Sequence, residues 1–212
     1  TYRGPLVIKR PVTVHGVKGT IISGEGHGTV ITVDAEDVTI ENLTIRDSGR
    51  RHTAEDAGIK ARGERVRIAD VRILETLFGA SLHECKHCIV ERVQVQGWGD
   101  DLELRGDGIK LWESNDSIVR HCKVDRSRDM VVWYTRRATL EDNVVTRSRY
   151  GTHFMYAHDS VVRRSRFEGD VVGIFVMYSM RLHVEENILA GARGAAGIGL
   201  GFKDSDAIEA KR

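Results

Sequence analysis

Seven short apolar runs of one design recur along this chain, opening at Gly58-Ile59, Gly79-Ala80, Gly108-Ile109, Met130-Val131, Gly151-Thr152, Gly173-Ile174 and Gly197-Ile198. Subtracting positions, their starts lie 21, 29, 22, 21, 22 and 24 residues apart. Roughly ten residues after each of the first six comes a second run: Val66-Arg67-Ile68, Cys88-Ile89-Val90, Ser117-Ile118-Val119, Ala138-Thr139-Leu140, Ser160-Val161-Val162 and Leu182-His183-Val184. A period in the low twenties, built from short β-branched segments, marks a stacked solenoid. No such unit can bury its apolar side alone, so each must stack on its neighbours. The expected fold is all-β: a right-handed parallel β-helix with coils of about 21–24 residues and loop insertions, forming one domain over residues 1–212.

Alternate residues of an extended strand face opposite sides, so aligned coils create columns along the axis. One inward column reads Ile40, Ile68, Val90, Val119, Leu140, Val162, Val184. Three positions on, another reads Leu43, Val71, Val93, Cys122, Asn143, Ser165, Asn187, turning from apolar to polar. Such a change fits a bend where Asn side chains satisfy turn backbone. The recurrent glycine marks a corner that needs either a positive φ or a close backbone approach.

Composition narrows the function. With 32 basic and 31 acidic residues the formal charge is +1, so no net field draws the chain to nucleic acid or to an anionic membrane. No apolar run approaches a membrane span, which predicts no direct membrane insertion. No secretory signal opens the chain, yet Thr1 is not a natural start, leaving room for a removed targeting segment. Gly197 to Phe202 begins another coil and the remainder turns polar without a capping repeat. That pattern predicts the N-terminal portion of a longer protein. Of three cysteines, Cys88 and Cys122 fall on inward columns and are expected to be buried thiols. Cys85 and Cys88 also have CxxC spacing beside His83 and His87, a weak metal or redox signature.

Chemistry concentrates on the outward columns of the Gly-led strands. Counting from the repeat start predicts one column of Trp112, Tyr134, Met155, Met177 and Gly201, and another of Lys110, Val132, His153, Phe175 and Gly199. Adjacent coils lie about 4.8 Å apart, so Met155 and Met177 are expected as stacked neighbours flanked by His153. His158 and Met180 follow three residues later as a second pair. Two readings compete for this strip. Thioether sulfur with imidazole suits Cu(I), which makes His153, Met155, Met177, His158 and Met180 candidate metal ligands. Alternatively Trp112, Tyr134 and Phe175 anchor a docked partner, or the strip is covered by the chain's own loops. The longest excursions, residues 47–56 and 97–105, are expected to emerge together at one edge, where binding concentrates on a rigid scaffold.

Many β-helices act on acidic polysaccharides, so a lyase, epimerase or carbohydrate-binding module is the alternative. Gly26-His27-Gly28 and Asp100-Asp101 superficially match pieces of the polygalacturonase signature. In that family, however, the paired Asp precedes Gly-His-Gly and is accompanied by Asn-Thr-Asp and Arg-Ile-Lys. Here the order is reversed and both companions are missing. The Asp-Pro-His run of mannuronan epimerases is also missing. Asp107 and Asp129, expected on adjacent coils, share a corner with Arg105, Arg126 and Arg128, so ion pairing is the simpler role. The sequence therefore predicts no catalytic residue.

The opening Thr1-Tyr2-Arg3-Gly4-Pro5-Leu6-Val7-Ile8 with Pro11-Val12-Thr13-Val14, then Ile22-Ser23-Gly24-Glu25-Gly26, resembles the start of the mature NosD family. Gly106-Asp107-Gly108-Ile109-Lys110-Leu111-Trp112-Glu113-Ser114 is similar to that family's most recognisable run, and Tyr150 to Tyr156 and Val176 to Ser179 resemble its succeeding coils. The resemblance implies a periplasmic, non-catalytic accessory protein for maturation of the copper centre of nitrous oxide reductase. It also implies copper binding and three kinds of partner: the reductase precursor, ABC transporter subunits and a copper chaperone. Of the candidate positions, only Met155, Tyr156, Met177 and Tyr178 carry over onto the family's runs.

Overall fold

The computed structural model describes residues 1–99 and 101–212. Asp100, half of the acidic pair noted above, lies outside the described residues. Three nine-stranded parallel sheets run the length of the molecule, each coil of chain contributing one strand to each. The first sheet begins with Tyr2–Arg3 and ends with Ile188–Ala190. The second runs from Leu6–Ile8 to Ile198–Lys203, and the third from Val12–His15 to Asp206–Lys211. The chain is an all-β parallel β-helix.

The first inward column stands in the register expected, with Ile40, Ile68, Val90, Val119, Leu140, Val162 and Val184 paired in succession on the third sheet and all buried. The second column makes the bend that its polar drift suggested. Asn143 Oδ1 accepts the Cys122 N–H at 2.9 Å, while its Nδ2 donates to Val119 O at 2.9 Å. Two coils on, Asn187 repeats both bonds with Ser165 N and Val162 O. The asparagines replace backbone partners that a turn cannot supply.

Repeat glycines are required by space. None of Gly58, Gly79, Gly108, Gly151 or Gly173 has a positive φ. A Cβ on Gly151 would lie 2.5 Å from Gly173 O, and one on Gly173 would lie 2.6 Å from Gly199 O. Left-handed backbone falls on other glycines and on many non-glycine corner residues, among them Tyr134, Tyr156 and Tyr178 at φ of 50°, 50° and 49°.

Two expectations need correction in register. Met130 pairs with Ile109, so the glycine column is interrupted there. Ile174 pairs with Leu200, which puts Gly199 rather than Gly197 at the corner position. A third correction concerns cysteine. Cys85 and Cys88 form a disulfide, so Cys88 is no free thiol and the CxxC run does not offer thiolates to a metal. The tight corner brings their Cα atoms to 5.9 Å, inside the range a disulfide spans. Cys122 is a free, buried thiol, and burial pushes its pKa up to about 12.

Candidate metal and docking face on the second sheet

Coil register fixes which side chains share the outer face of the second sheet. One column runs His83, Trp112, Trp133, Met155, Met177, Lys203. Beside it runs Lys60, Ser81, Lys110, Val131, His153, Phe175, Gly201. Met155 and Met177 are direct neighbours, as their spacing predicts. Trp133 rather than Tyr134 stands between Trp112 and Met155, and Val131 rather than Val132 precedes His153. Lys203 follows Met177, and Gly201 follows Phe175. The one-residue shift traces to Met130. A coil without the corner glycine has a different entry, which counting from the repeat start does not reveal.

His153 and Met177 meet most closely: His153 Nε2 lies 3.3 Å from Met177 Sδ. Bonds of roughly 2.0–2.3 Å from nitrogen and sulfur to one ion would accommodate that separation. The donor set is soft and suits Cu(I). Among the described residues no three His, Cys, Asp or Glu side chains converge as a metal centre, so an ion on this face would depend on the thioethers. The imidazole edge packs against Tyr150, with ring centroids 4.9 Å apart and nearly perpendicular, and Phe175 flanks it at 5.9 Å.

His158 and Met180 are also neighbours across coils, but the contact is different. His158 Nδ1 accepts the backbone N–H of Met180 at 3.1 Å. This bond uses the Nδ1 lone pair and places the proton of the neutral ring on Nε2, so His158 has a free lone pair for an ion only when the bond to Met180 is released. Burial, followed by Arg136 and Arg181, lowers the His158 pKa, keeping the ring neutral.

Behind this strip the corner tyrosines form a ladder. Tyr134 stacks on Trp133 at 5.5 Å, Tyr156 on Tyr134 at 5.0 Å and Tyr178 on Tyr156 at 5.0 Å. Tyr156 and Tyr178 each follow a column methionine, and their left-handed backbone turns the rings into one stack beside the sulfurs. Sequence counting had placed Tyr134 in the outward column; the stack is its actual position.

Two carboxylates underlie the face. Arg128 donates to Asp107 through Nε and Nη2 at 3.0 and 3.1 Å, and Arg149 binds both oxygens of Asp129. Ion pairing was the expected role, although Arg149 takes the place expected of Arg126, which stands 3.8 Å from Asp125. Burial, together with neighbouring Asp129, pushes Asp107 up to about 6 against the pull of Arg128. Asp129 feels the same burial, but the nearby His153 and the hydrogen-bonded Arg149 outweigh it and hold the carboxyl below the usual range.

The two excursions meet at the other end of the same sheet. His52 Nε2 lies 3.1 Å from Leu104 O, and the Arg50 guanidinium sits 4.1 Å over the Trp98 ring. Glu55, at the end of the first excursion, is held by Lys110 Nζ at 2.6 Å and His83 Nε2 at 3.0 Å. Those bonds, led by His83 and opposed by burial, lower its pKa to about 2. This ionic latch escaped sequence reasoning because its members are 28 and 55 positions from Glu55.

Residues 91–211 match the family model described as periplasmic copper-binding protein (NosD). A Pseudomonas aeruginosa protein named probable ABC transporter binding protein NosD is 31% identical over 138 residues, covering 60% of this chain and 31% of that protein. Its Stutzerimonas stutzeri namesake is 30% identical over 131 residues, covering 60% and 30%. The match thus spans about a third of the length of these curated relatives. Among solved structures, an Erwinia carotovora polygalacturonase superposes with a TM-score of 0.67 at 11% identity, over 99% of this chain and 84% of that one. The A-module of Azotobacter vinelandii mannuronan C-5 epimerase AlgE4 gives 0.53 at 11%, over 98% and 83%. At such identity these two likenesses speak for the fold alone. The family model covers more than half of the sequence, including the whole Met155–Met177 face: this chain belongs to the NosD family.

Proposed function

We propose that this chain is part of a periplasmic, non-catalytic accessory protein whose second-sheet face receives Cu(I) as cargo, in the maturation of the copper centre of nitrous oxide reductase alongside an ABC transporter. The observation that carries the reading is the His153 Nε2–Met177 Sδ approach of 3.3 Å, with Met155 in direct register. His153, Met155 and Met177 would hold the ion, and His158 with Met180 would offer a further station once the His158 Nδ1 bond to the Met180 N–H gives way. Support comes from the copper-binding description of the family and from relatives named as ABC transporter binding proteins. The Cys85–Cys88 disulfide also fits an oxidising compartment. No helix among the described residues is long and apolar enough to cross a membrane.

A Cu(I) titration against a competing chelator tests this on the parent and on Met155→Ala/Met177→Ala. The parent should hold the ion and the double variant should lose it; equal affinity would remove copper from this face. Docking of the reductase precursor or of a copper chaperone is separable from metal uptake. Trp112→Ala or Phe175→Ala should weaken partner binding and spare Cu(I), whereas His153→Ala should do the reverse.

Polysaccharide chemistry remains the competing reading because the fold is shared with the polygalacturonase and the epimerase. Asp107 and Asp129 are each engaged by an arginine, and Glu55 by Lys110 and His83, whereas acid–base catalysis needs a carboxyl within reach of substrate. The pure chain should not cleave polygalacturonate or alginate, with or without calcium. Turnover that falls in Asp101→Asn would overturn the non-catalytic assignment.

A further inference from the structure

His153 is approached from both of its ring nitrogens. Nε2 faces Met177 Sδ at 3.3 Å, while Nδ1 faces Asp129 Oδ2 at 3.7 Å. Asp129 is only 1% exposed and its other contacts are occupied. Oδ1 accepts Arg149 Nε at 2.9 Å and the Tyr150 N–H at 3.2 Å, while Oδ2 takes the second Arg149 N–H. A carboxylate bound in this way by a guanidinium has acceptor capacity alone to offer a histidine. Met177 Sδ can likewise only accept, so two acceptors compete for the single proton of the neutral ring; the thioether is a weak one, and the charged carboxylate, though farther away, draws the proton to Nδ1.

Backbone geometry serves the same end. Asp129 pairs with Tyr150 and Val131 with His153, so one residue on the first strand faces two on the next, a β-bulge at Gly151-Thr152. Bulges re-aim side chains beside functional sites. Here the shift sets Tyr150 beside Asp129, where its N–H meets the carboxylate and its ring walls the imidazole. Arg149 in turn lies 4.5 Å over the Tyr150 ring.

We propose that Asp129 is the positioning residue of this face: it holds the His153 proton on Nδ1 and so presents the bare Nε2 lone pair toward the Met177 thioether, setting the donor before any ion arrives. The inference rests on His153 being a copper donor, the reading given above. Outer carboxylates that orient a metal-binding histidine in this way typically change metal affinity 10–100-fold when removed.

The test reads the tautomer directly, without metal. Long-range 1H–15N correlation spectra of the labelled chain at about pH 8, above the ordinary histidine range, should show His153 protonated on Nδ1. In Asp129→Asn the amide oxygen should turn to Arg149 and the amide NH2 to the ring, moving the proton to Nε2. Cu(I) affinity should then fall by about 10–100-fold. An Nε2 proton in the parent overturns the proposal even if the variant fails to fold, as does an unchanged tautomer in a folded Asp129→Asn. If the tautomer and its reversal appear but the parent takes up no Cu(I), the copper reading is what fails. If Cu(I) binds with the opposite tautomer in the metal-free chain, the positioning role is what fails.

Discussion

Asp170 illustrates how far one side chain can depart from ordinary solution behaviour. It is 1% exposed, accepts the Ser148 N–H on Oδ1 at 2.7 Å, and has no hydrogen-bond partner on the buried Oδ2. Burial pushes its pKa up to about 7, against that single backbone bond. Below about pH 4 the carboxyl is protonated both folded and unfolded, and folding carries no penalty from it. As pH rises from there to about 7, the unfolded chain ionises while the folded one resists, so stability is lost across that window. Asp170→Asn keeps an acceptor for Ser148 and never ionises. It should melt higher than the parent at pH 8 and show little advantage at pH 4, with each kcal/mol gained appearing as ~2–4 °C. A gain of equal size at both pH values would mean that packing, not ionisation, is responsible. Nothing in the sequence distinguished Asp170 from exposed acids, because its burial comes from the coil above. Met155 and Met177 were legible for the opposite reason: both lie in coils that keep the repeat, so a difference of 22 positions translates directly into contact.

At the scale of strands and corners, the glycine positions make the strongest demand. A Cβ on Gly151 would stand 2.5 Å from both Gly173 O and Phe167 Cδ1, and neither backbone nor a buried ring can yield cheaply. Gly151→Ala should therefore cost more than ~1 kcal/mol through overpacking. Because the bulge carries Tyr150 and His153, the same variant should alter the His153 ring environment in NMR spectra. A melt and spectrum identical to the parent would show that the bulge tolerates a side chain. The apolar columns follow the same logic from inside: Val119→Asp would bury an unpaired carboxylate between Val90 and Leu140 and should cost several kcal/mol, read as a lowered melting temperature. These columns could be read from the sequence because alternation and period alone determine them. The Asp129–His153 approach could not, because it depends on a bulge whose sequence signal is one missing glycine, its place taken by Asp129 just before Met130. The same slip misplaced Trp133 and Val131 by one residue in the outward columns.

Across the whole molecule, charge is neutralised coil by coil. At one corner Arg65 pairs with Asp37, Arg137 with Asp116 and Arg181 with Asp159; at another, Arg92 pairs with Asp70 and Arg164 with Asp142. Each pair joins successive coils through two roughly parallel N–H donations, a geometry that fixes spacing as well as charge. A rod neutralised in this way exerts little long-range pull, leaving recognition to short-range contacts. The pairs also set the response to acid. Glu91, 3% exposed, is held by three arginines: burial opposes its charge, but bonds from Arg120, Arg67 and Arg92 prevail and lower its pKa to about 2. A carboxyl lowered in this way stabilises the fold fully above its ordinary value of 4.5, and that contribution is lost as pH falls toward about 2. Glu91→Gln leaves three guanidinium groups without their shared anion and should melt well below the parent at pH 7. Asp116→Asn, at a solvated corner, should change stability by no more than about 1 kcal/mol. The deficit of Glu91→Gln should shrink steadily between about pH 4.5 and 2, because the parent then loses the same charge. A deficit that stays constant down to pH 2 would show that the glutamate acts through packing and not as the anion tying three coils together.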